Sequence, residues 1–371
     1  MKICIFPNDP LIAYYEKGEI KNRYFNPKNF FDEVHFITFS KKEIESSKVK
    51  KIVGDAKIVI HRLNKIQIKN RKKHLEEIIK IVSEINPAVI RAFNPLLEGW
   101  FAAQTAKKLN IPFLLSLHTQ YDMNRKLAKR NNLKKFLALK YTEKFLESFV
   151  LKSANKIIIV YKIIEPYVKK HTNSRIEILY NKVDCERFSK GVKLSSFKEP
   201  LVISVGNLIR VKNHHILIDA FQNINANLLI IGRGELYQEL HNQISKNKLE
   251  NKIKIIESVP YEKINDYYKS ATIFASAFNP EVESLPMPVM EALATGLPVV
   301  IPQNNEGLED VALYCENSPE SFEKNIKKLL ENKELREKYS INAEKKAMEF
   351  DSKIAEEKEA RIYTELINEF K

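Results

Sequence analysis

The sequence predicts an α/β protein of two doubly wound parallel-sheet domains facing a cleft. Three observations carry this: short apolar runs alternate with amphipathic helical stretches, the pattern restarts near residue 200, and the two parts differ in charge. Residues 1–200 hold 40 Lys and Arg against 20 Asp and Glu; the remainder holds 21 against 27. A chain of 371 residues is long enough to bury a sizeable core in each domain.

In chain order, KICIF (2–6), EVHFITF (33–39), KIVI (57–60), AVIRAF (88–93), FLLSLH (113–118) and KIIIV (156–160) read as strands. Helical stretches such as 72–85 and 100–110 lie between them, the signature of parallel βαβ units. The second series is PLVISVG (200–206), ANLLIIG (226–232), KIKIIES (252–258), TIFAS (272–276) and PVVIP (298–302), with helices expected at 214–221, 235–248 and 261–270. A charged helical tail covers 320–371. The expected division is 1–177, 178–354 and a terminal helix, 355–371, returning to the first domain.

Composition excludes several classes. A 44% hydrophobic content with 9 Gly and 15 Pro argues against disorder. Cys4, Cys185 and Cys315 are too few and too scattered for a disulfide framework or a zinc site, so a reducing compartment is expected. The apolar run after Met1 is too short for a signal peptide, and no window approaches the ~18 apolar residues of a membrane span. The expected location is the cytoplasm, with peripheral attachment to the cytosolic face of a membrane as a further option.

The segment NPEVESLPMPVMEALATGLPVV (279–300) carries the first chemistry. Glu283 and Glu291 have seven residues between them, and Pro286 and Pro288 mark the approach and first turn of a helix starting near Met287. A helix N-terminus between two carboxylates suits a diphosphate, with one carboxylate on ribose hydroxyls and the other on a sugar. An ordinary helix cap with a surface glutamate is the alternative. In SVGNLIRVKNHH (204–215), Gly206 ends a strand and lets the backbone approach a ligand; Arg210 and Lys212 follow, the lysine placed for phosphate. LIIGRGELYQEL (229–240) repeats the strand–glycine–helix form at Gly232 and Gly234, without the G-x-G-x-x-G dinucleotide fingerprint. His118 in SLHTQ stands at the carboxyl end of a first-domain strand, facing the cleft.

Taken together these motifs resemble the retaining glycosyltransferases of family four, which have the GT-B fold. ESLPMPVMEALATGLPVV resembles the E-x7-E signature, ILYNKVDCERF (178–188) the "NGVD…F" segment, VGNLIRVKN the "VGRL…KG" loop, LIIGRGE the "VG.G" loop and SLHTQ the "HG" segment. The resemblance covers most of the chain. It implies a metal-independent, retaining hexosyltransferase using a nucleotide sugar, UDP- or GDP-linked, as co-substrate, with no other cofactor. It assigns Glu291 to the donor ribose, Glu283 and His118 to the donor sugar, and Lys212 to the diphosphate. Backbone amides from Ser284 and Leu285 to Met287 would face sugar and phosphate, with Gly206 and Gly232 lining the donor.

Three departures stand out. Asn207 occupies the place of a second phosphate-binding arginine, with Arg210 nearby as a substitute; Lys182 replaces a turn glycine; and residues 7–27 hold only Gly18 where relatives carry a Gly-Gly loop shaping the acceptor side. The acceptor is expected to be a glycan or a lipid-linked saccharide in glycolipid, cell-envelope polysaccharide or glycan assembly. Rival readings are a GT-B sugar-nucleotide epimerase and a non-enzymatic sugar-nucleotide or polyanion binder on the same scaffold.

NRKLAKRNNLKKFLALKYTEKFLESFVLK (124–152) holds nine Lys and Arg against two Glu, interleaved with Leu, Phe and Tyr. It reads as a helix on an anionic membrane surface, as a nucleic-acid contact, or as a solvated helix. No recognised nucleic-acid motif supports the second.

Overall fold

The inner strands of this chain form where both faces of a run are largely apolar, as helices on either side of a parallel sheet require. The computed structural model describes every residue except Glu19, Lys198, Asn305 and Lys371, together with the side chain of Asn131. The chain divides into two units, Met1–Tyr180 with Ala355–Lys371, and Asn181–Ile354.

In the first unit the described residues form a parallel seven-stranded sheet. Its strands are β1 (Lys2–Phe6), β2 (Glu33–Phe39), β3 (Lys57–Leu63), β4 (Val89–Ala92), β5 (Phe113–Leu117), β6 (Lys156–Ile159) and β7 (Arg175–Ile178), in the order β3-β2-β1-β4-β5-β6-β7. In the second unit β8 (Leu201–Val205), β9 (Asn227–Ile231), β10 (Ile253–Ile256), β11 (Ile273–Ala275), β12 (Val299–Pro302) and β13 (Ala312–Cys315) pair in parallel as β10-β9-β8-β11-β12-β13. Both sheets start at a central strand, run outward on one side, then cross back to the other. That is the doubly wound topology, and it leaves one point in each sheet where the strand order reverses.

All eleven expected strands are present; β7 and β13 are additional. The expected helix at 261–270 is a 3-10 turn, Tyr261–Lys263, followed by the short helix Ile264–Lys269. The helical tail resolves into Pro319–Glu331, Lys333–Ala347 and Ser352–Glu369. From Ala355 onward the last of these packs into the first unit, where Ala355, Ile362, Tyr363 and Leu366 join Ile3, Phe36, Val89 and Leu114 in one core. Beneath them Arg91 of β4 is buried and donates to Ser116 Oγ (3.1 Å), Tyr363 Oη (2.6 Å) and the Glu359 carboxylate.

The basic segment is not one helix. It breaks at Asn132 into Tyr121–Asn131 and Leu133–Thr142, continues as a π turn over Glu143–Glu147, and closes with Ser148–Ser153. Nor does all of its charge face solvent. Arg125 is buried, with two bonds to Glu147 (2.9 and 2.8 Å) and one to Asp122 (2.6 Å). Thr142 and Tyr167 also donate to Glu147, so every oxygen of this fully buried carboxylate is occupied.

Candidate active site

The strand order of the second sheet reverses between β8 and β11. Loops leaving the carboxyl ends of those strands diverge there, and open α/β sheets take their ligands in the crevice between them. Gly206 follows β8 directly, Gly232 follows β9, and residues 276–286 follow β11.

The two glycine loops are laced together. Leu208 N donates to Arg233 O (2.7 Å) and Leu236 N to Leu208 O (3.0 Å). A Cβ on Gly232 would lie 1.8 Å from Gly206 O, so only glycine lets the loops approach this closely. The β8 loop is then tied to the β11 loop: Asn213, at φ 49°, donates from Nδ2 to Ala277 O (3.0 Å), and Asn279 N donates to Val211 O (2.8 Å). Through these ties two residues far apart in sequence meet. Lys212 Nζ lies 2.5 Å from Glu283 Oε2, the lysine buried and the glutamate half-buried.

Asn207 and Arg210 are exposed, the latter opening the 3-10 turn Arg210–Lys212. Beside them His214 is buried, and its Nε2 has no hydrogen-bond partner among the described residues. Enclosure, reinforced by the charge of Lys212, lowers its pKa to about 4, so the ring is neutral near pH 7.

After Glu283 the chain turns inward. Ser284 and Leu285 are fully buried, and Ser284 Oγ donates to the carboxylate of the buried Glu306. The helix Met287–Ala294 then starts, with Pro286 as its extended N-cap residue and Pro288 in its first turn. Glu291 lies one turn inside, buried, and accepts from Tyr268 Oη (2.9 Å). Burial and the neighbouring Glu291 hold the Tyr268 hydroxyl well above its usual pKa, which keeps it a donor. Met287 is half-buried at the helix start.

His118 belongs to the first unit. It directly follows β5, with its ring stacked on Phe93 at a centroid distance of 5.6 Å. Its Nε2 is enclosed without a partner among the described residues; enclosure, then the charge of Arg91, lowers its pKa to about 4.

Among the predicted residues, the structure joins Lys212 to Glu283, sets Gly206 against Gly232, and places Glu291 on the helix that follows. Glu306, Asn304, Tyr268 and His214 were not singled out by sequence. The Q-N-N-E-G stretch containing Asn304 and Glu306 leaves β12, the strand beside β11, which is the one signal that could have drawn them in.

Residues 186–346 match the family model of Glycosyl transferases group 1, and residues 32–187 match that of Glycosyltransferase Family 4. Together the two models span residues 32–346, and the chain belongs to the glycosyltransferases they describe. An uncharacterized glycosyltransferase of Methanocaldococcus jannaschii is 25% identical over 280 residues, 72% of this chain and 73% of that one. A second relative, from Campylobacter jejuni, is the N-acetylgalactosamine-N,N'-diacetylbacillosaminyl-diphospho-undecaprenol 4-alpha-N-acetylgalactosaminyltransferase. It is 30% identical over 189 residues, 48% of this chain and 50% of that one. Among solved structures, HepE of Anabaena in complex with UDP and glucose superposes with a TM-score of 0.73 at 16% identity, covering 98% of this chain and all of that one. At that identity the likeness is one of fold. It gives this glycosyltransferase the GT-B architecture and puts its laced glycine loops and the two glutamates in the second of two Rossmann-like units.

Proposed function

We propose that this glycosyltransferase moves a hexosyl group from a UDP- or GDP-sugar to an acceptor hydroxyl, with retention at the anomeric carbon and without a metal ion. The observation that carries the reading is the ion pair of Lys212 with Glu283 at the strand-order reversal, in the loops leading to the helix N-terminus at Met287. A diphosphate arriving there meets an ammonium group and the positive end of the helix dipole together. Lys212 exchanges Glu283 for phosphate, and Glu283 is freed to accept from a hydroxyl of the sugar. Glu291, oriented by Tyr268, accepts from the ribose hydroxyls. His118 keeps the role the resemblance gives it, a contact to the donor sugar.

In the reaction the acceptor oxygen bonds to the anomeric carbon on the face the leaving group departs from. The bond from that carbon to the diphosphate oxygen breaks with its electron pair on the nucleotide, and the acceptor proton passes to the departing phosphate. Charge builds on the diphosphate, and Lys212 with the helix N-terminus stabilises it. HepE, solved with UDP and glucose, supports a uridine nucleotide. The Campylobacter relative, named for a diphospho-undecaprenol substrate, supports an acceptor in glycolipid or cell-envelope glycan assembly.

The test is turnover of UDP- and GDP-sugars followed by NMR of the anomeric proton. The expected outcome is a product with the anomeric configuration of the donor, and a kcat on the order of 100-fold lower in Lys212→Ala, the loss typical of removing one charge-stabilising group. An inverted product contradicts retention. Undiminished turnover in Lys212→Ala contradicts the assigned site.

A further inference from the structure

Four large apolar side chains stand in solvent at four-residue intervals along the basic segment of the first unit. They are Leu133 (65% exposed), Leu137 (59%), Tyr141 (39%) and Phe145 (46%). Four residues turn an α-helix about 40° past a full revolution, so such a series forms one slanting stripe over about 18 Å of helix axis. The π turn at Glu143–Glu147 winds less per residue and offsets the slant at its end, where the rings of Tyr141 and Phe145 lie 4.6 Å apart. A helix in a water-soluble face turns such residues inward; here the opposite face already holds the fold.

The charges around the stripe are sorted. Lys126, Lys129, Arg130, Lys134, Lys135, Lys140 and Lys144 are all exposed. Asp122, Glu143 and Glu147, the only acids between 121 and 147, each lie within 4 Å of the buried Arg125 and none of the three is exposed, although Glu143 also accepts from Lys140 (2.7 Å). That cluster has two effects: it anchors the segment from beneath through Glu147, and it strips the outer face of negative charge. What remains outside is a stripe of Leu, Tyr and Phe flanked by lysines.

We propose that this face docks on an anionic lipid bilayer, with Leu133, Leu137, Tyr141 and Phe145 entering the headgroup–acyl boundary and the lysines meeting lipid phosphates. Charge selects this occupant. A second copy of the chain would set one positive face against another, whereas an anionic bilayer pairs with the lysines and accepts the apolar stripe at once. Among the described residues no helix is long and apolar enough to cross a membrane, so the contact is with the surface. The inference stands on this face alone and is independent of the donor chemistry proposed above.

The experiment is co-sedimentation of the full chain with vesicles of phosphatidylglycerol and phosphatidylcholine, and with vesicles of phosphatidylcholine alone. Partition into the anionic vesicles is expected to exceed that into neutral ones by tenfold or more and to fall with added salt. Leu137→Ser with Phe145→Ser, and separately Lys134→Glu with Lys135→Glu, are each expected to weaken it about tenfold. Val192→Ser, more exposed than Leu137 or Phe145 but in the second unit, is expected to leave it unchanged. Circular dichroism and thermal unfolding measured on the same samples separate loss of docking from loss of folding. Equal binding to neutral vesicles, or undiminished binding by both double variants, would overturn the proposal. So would a lipid-free dimer that the Leu137 and Phe145 substitutions dissociate, or tighter binding to single-stranded nucleic acid than to vesicles.

Discussion

His214 makes the second unit sensitive to acid. Its folded pKa of about 4 lies below the 6.5 of an unfolded histidine, so between these values the unfolded chain binds a proton that the native chain does not. The stability this represents is complete above about pH 6.5 and is lost as the pH falls toward 4. Urea denaturation at about pH 7.5 and pH 4.5 should show His214→Gln losing less stability than the wild type, by on the order of 2 kcal/mol. His118 shifts in the same direction for the same cause, enclosure. At this scale the sequence reached only part of the site. Lys212 and Glu283 were legible because glycine and proline punctuate the loops that hold them. Glu306 and Tyr268 were not, since a buried polar side chain becomes recognisable only when its partner, Ser284 in one case and Glu291 in the other, closes on it from a distant part of the chain.

At the scale of elements, the close approach of the β8 and β9 loops is what positions Lys212. Gly232→Ala puts a methyl group against backbone oxygen, which cannot swing aside as a side chain can. The loops must separate, at a cost of about 1–3 kcal/mol. Urea denaturation and nucleotide titration of this variant should both weaken, although residue 232 carries no charge. The elements themselves were largely legible: β1, β5, β6 and β12 are buried along nearly their whole length and read as predominantly apolar runs. The strand β7, RIEI, was not, because it is the edge of its sheet, where solvent permits charged residues that mask the apolar run. In the second sheet the edge strand β13 is four residues long and follows the turn at Gly307, too short a run to stand out between the last expected strand and the tail that begins at 320. The break at Asn132 was hidden for another reason: Asn132 both ends one helix and caps the next, accepting from Lys135 N, and no glycine or proline announces it.

For the whole molecule, the last residues of the chain complete the core of the first unit. Glu359→Ala leaves the Arg91 guanidinium buried with an unpaired charge, and loss of one partner of such a pair costs about 3–5 kcal/mol. Calorimetric unfolding should show that loss, with Glu359→Gln intermediate because it keeps a hydrogen-bond acceptor. The charge division of the chain is also a property at this scale: the positive excess lies in residues 1–200, where the lysine-flanked stripe stands, while the residues proposed to bind diphosphate lie in a unit whose sequence is net acidic after residue 200.

The most direct test of the account is calorimetric titration of UDP and GDP into the wild-type chain and into Glu291→Ala and Lys212→Ala. The account predicts saturable binding of one nucleotide by the wild type, weakened by about 1.5–3 kcal/mol in each variant, as expected when a hydrogen bond to a charged group is lost. Equal binding by the wild type and both variants, or binding of neither nucleotide, would contradict it.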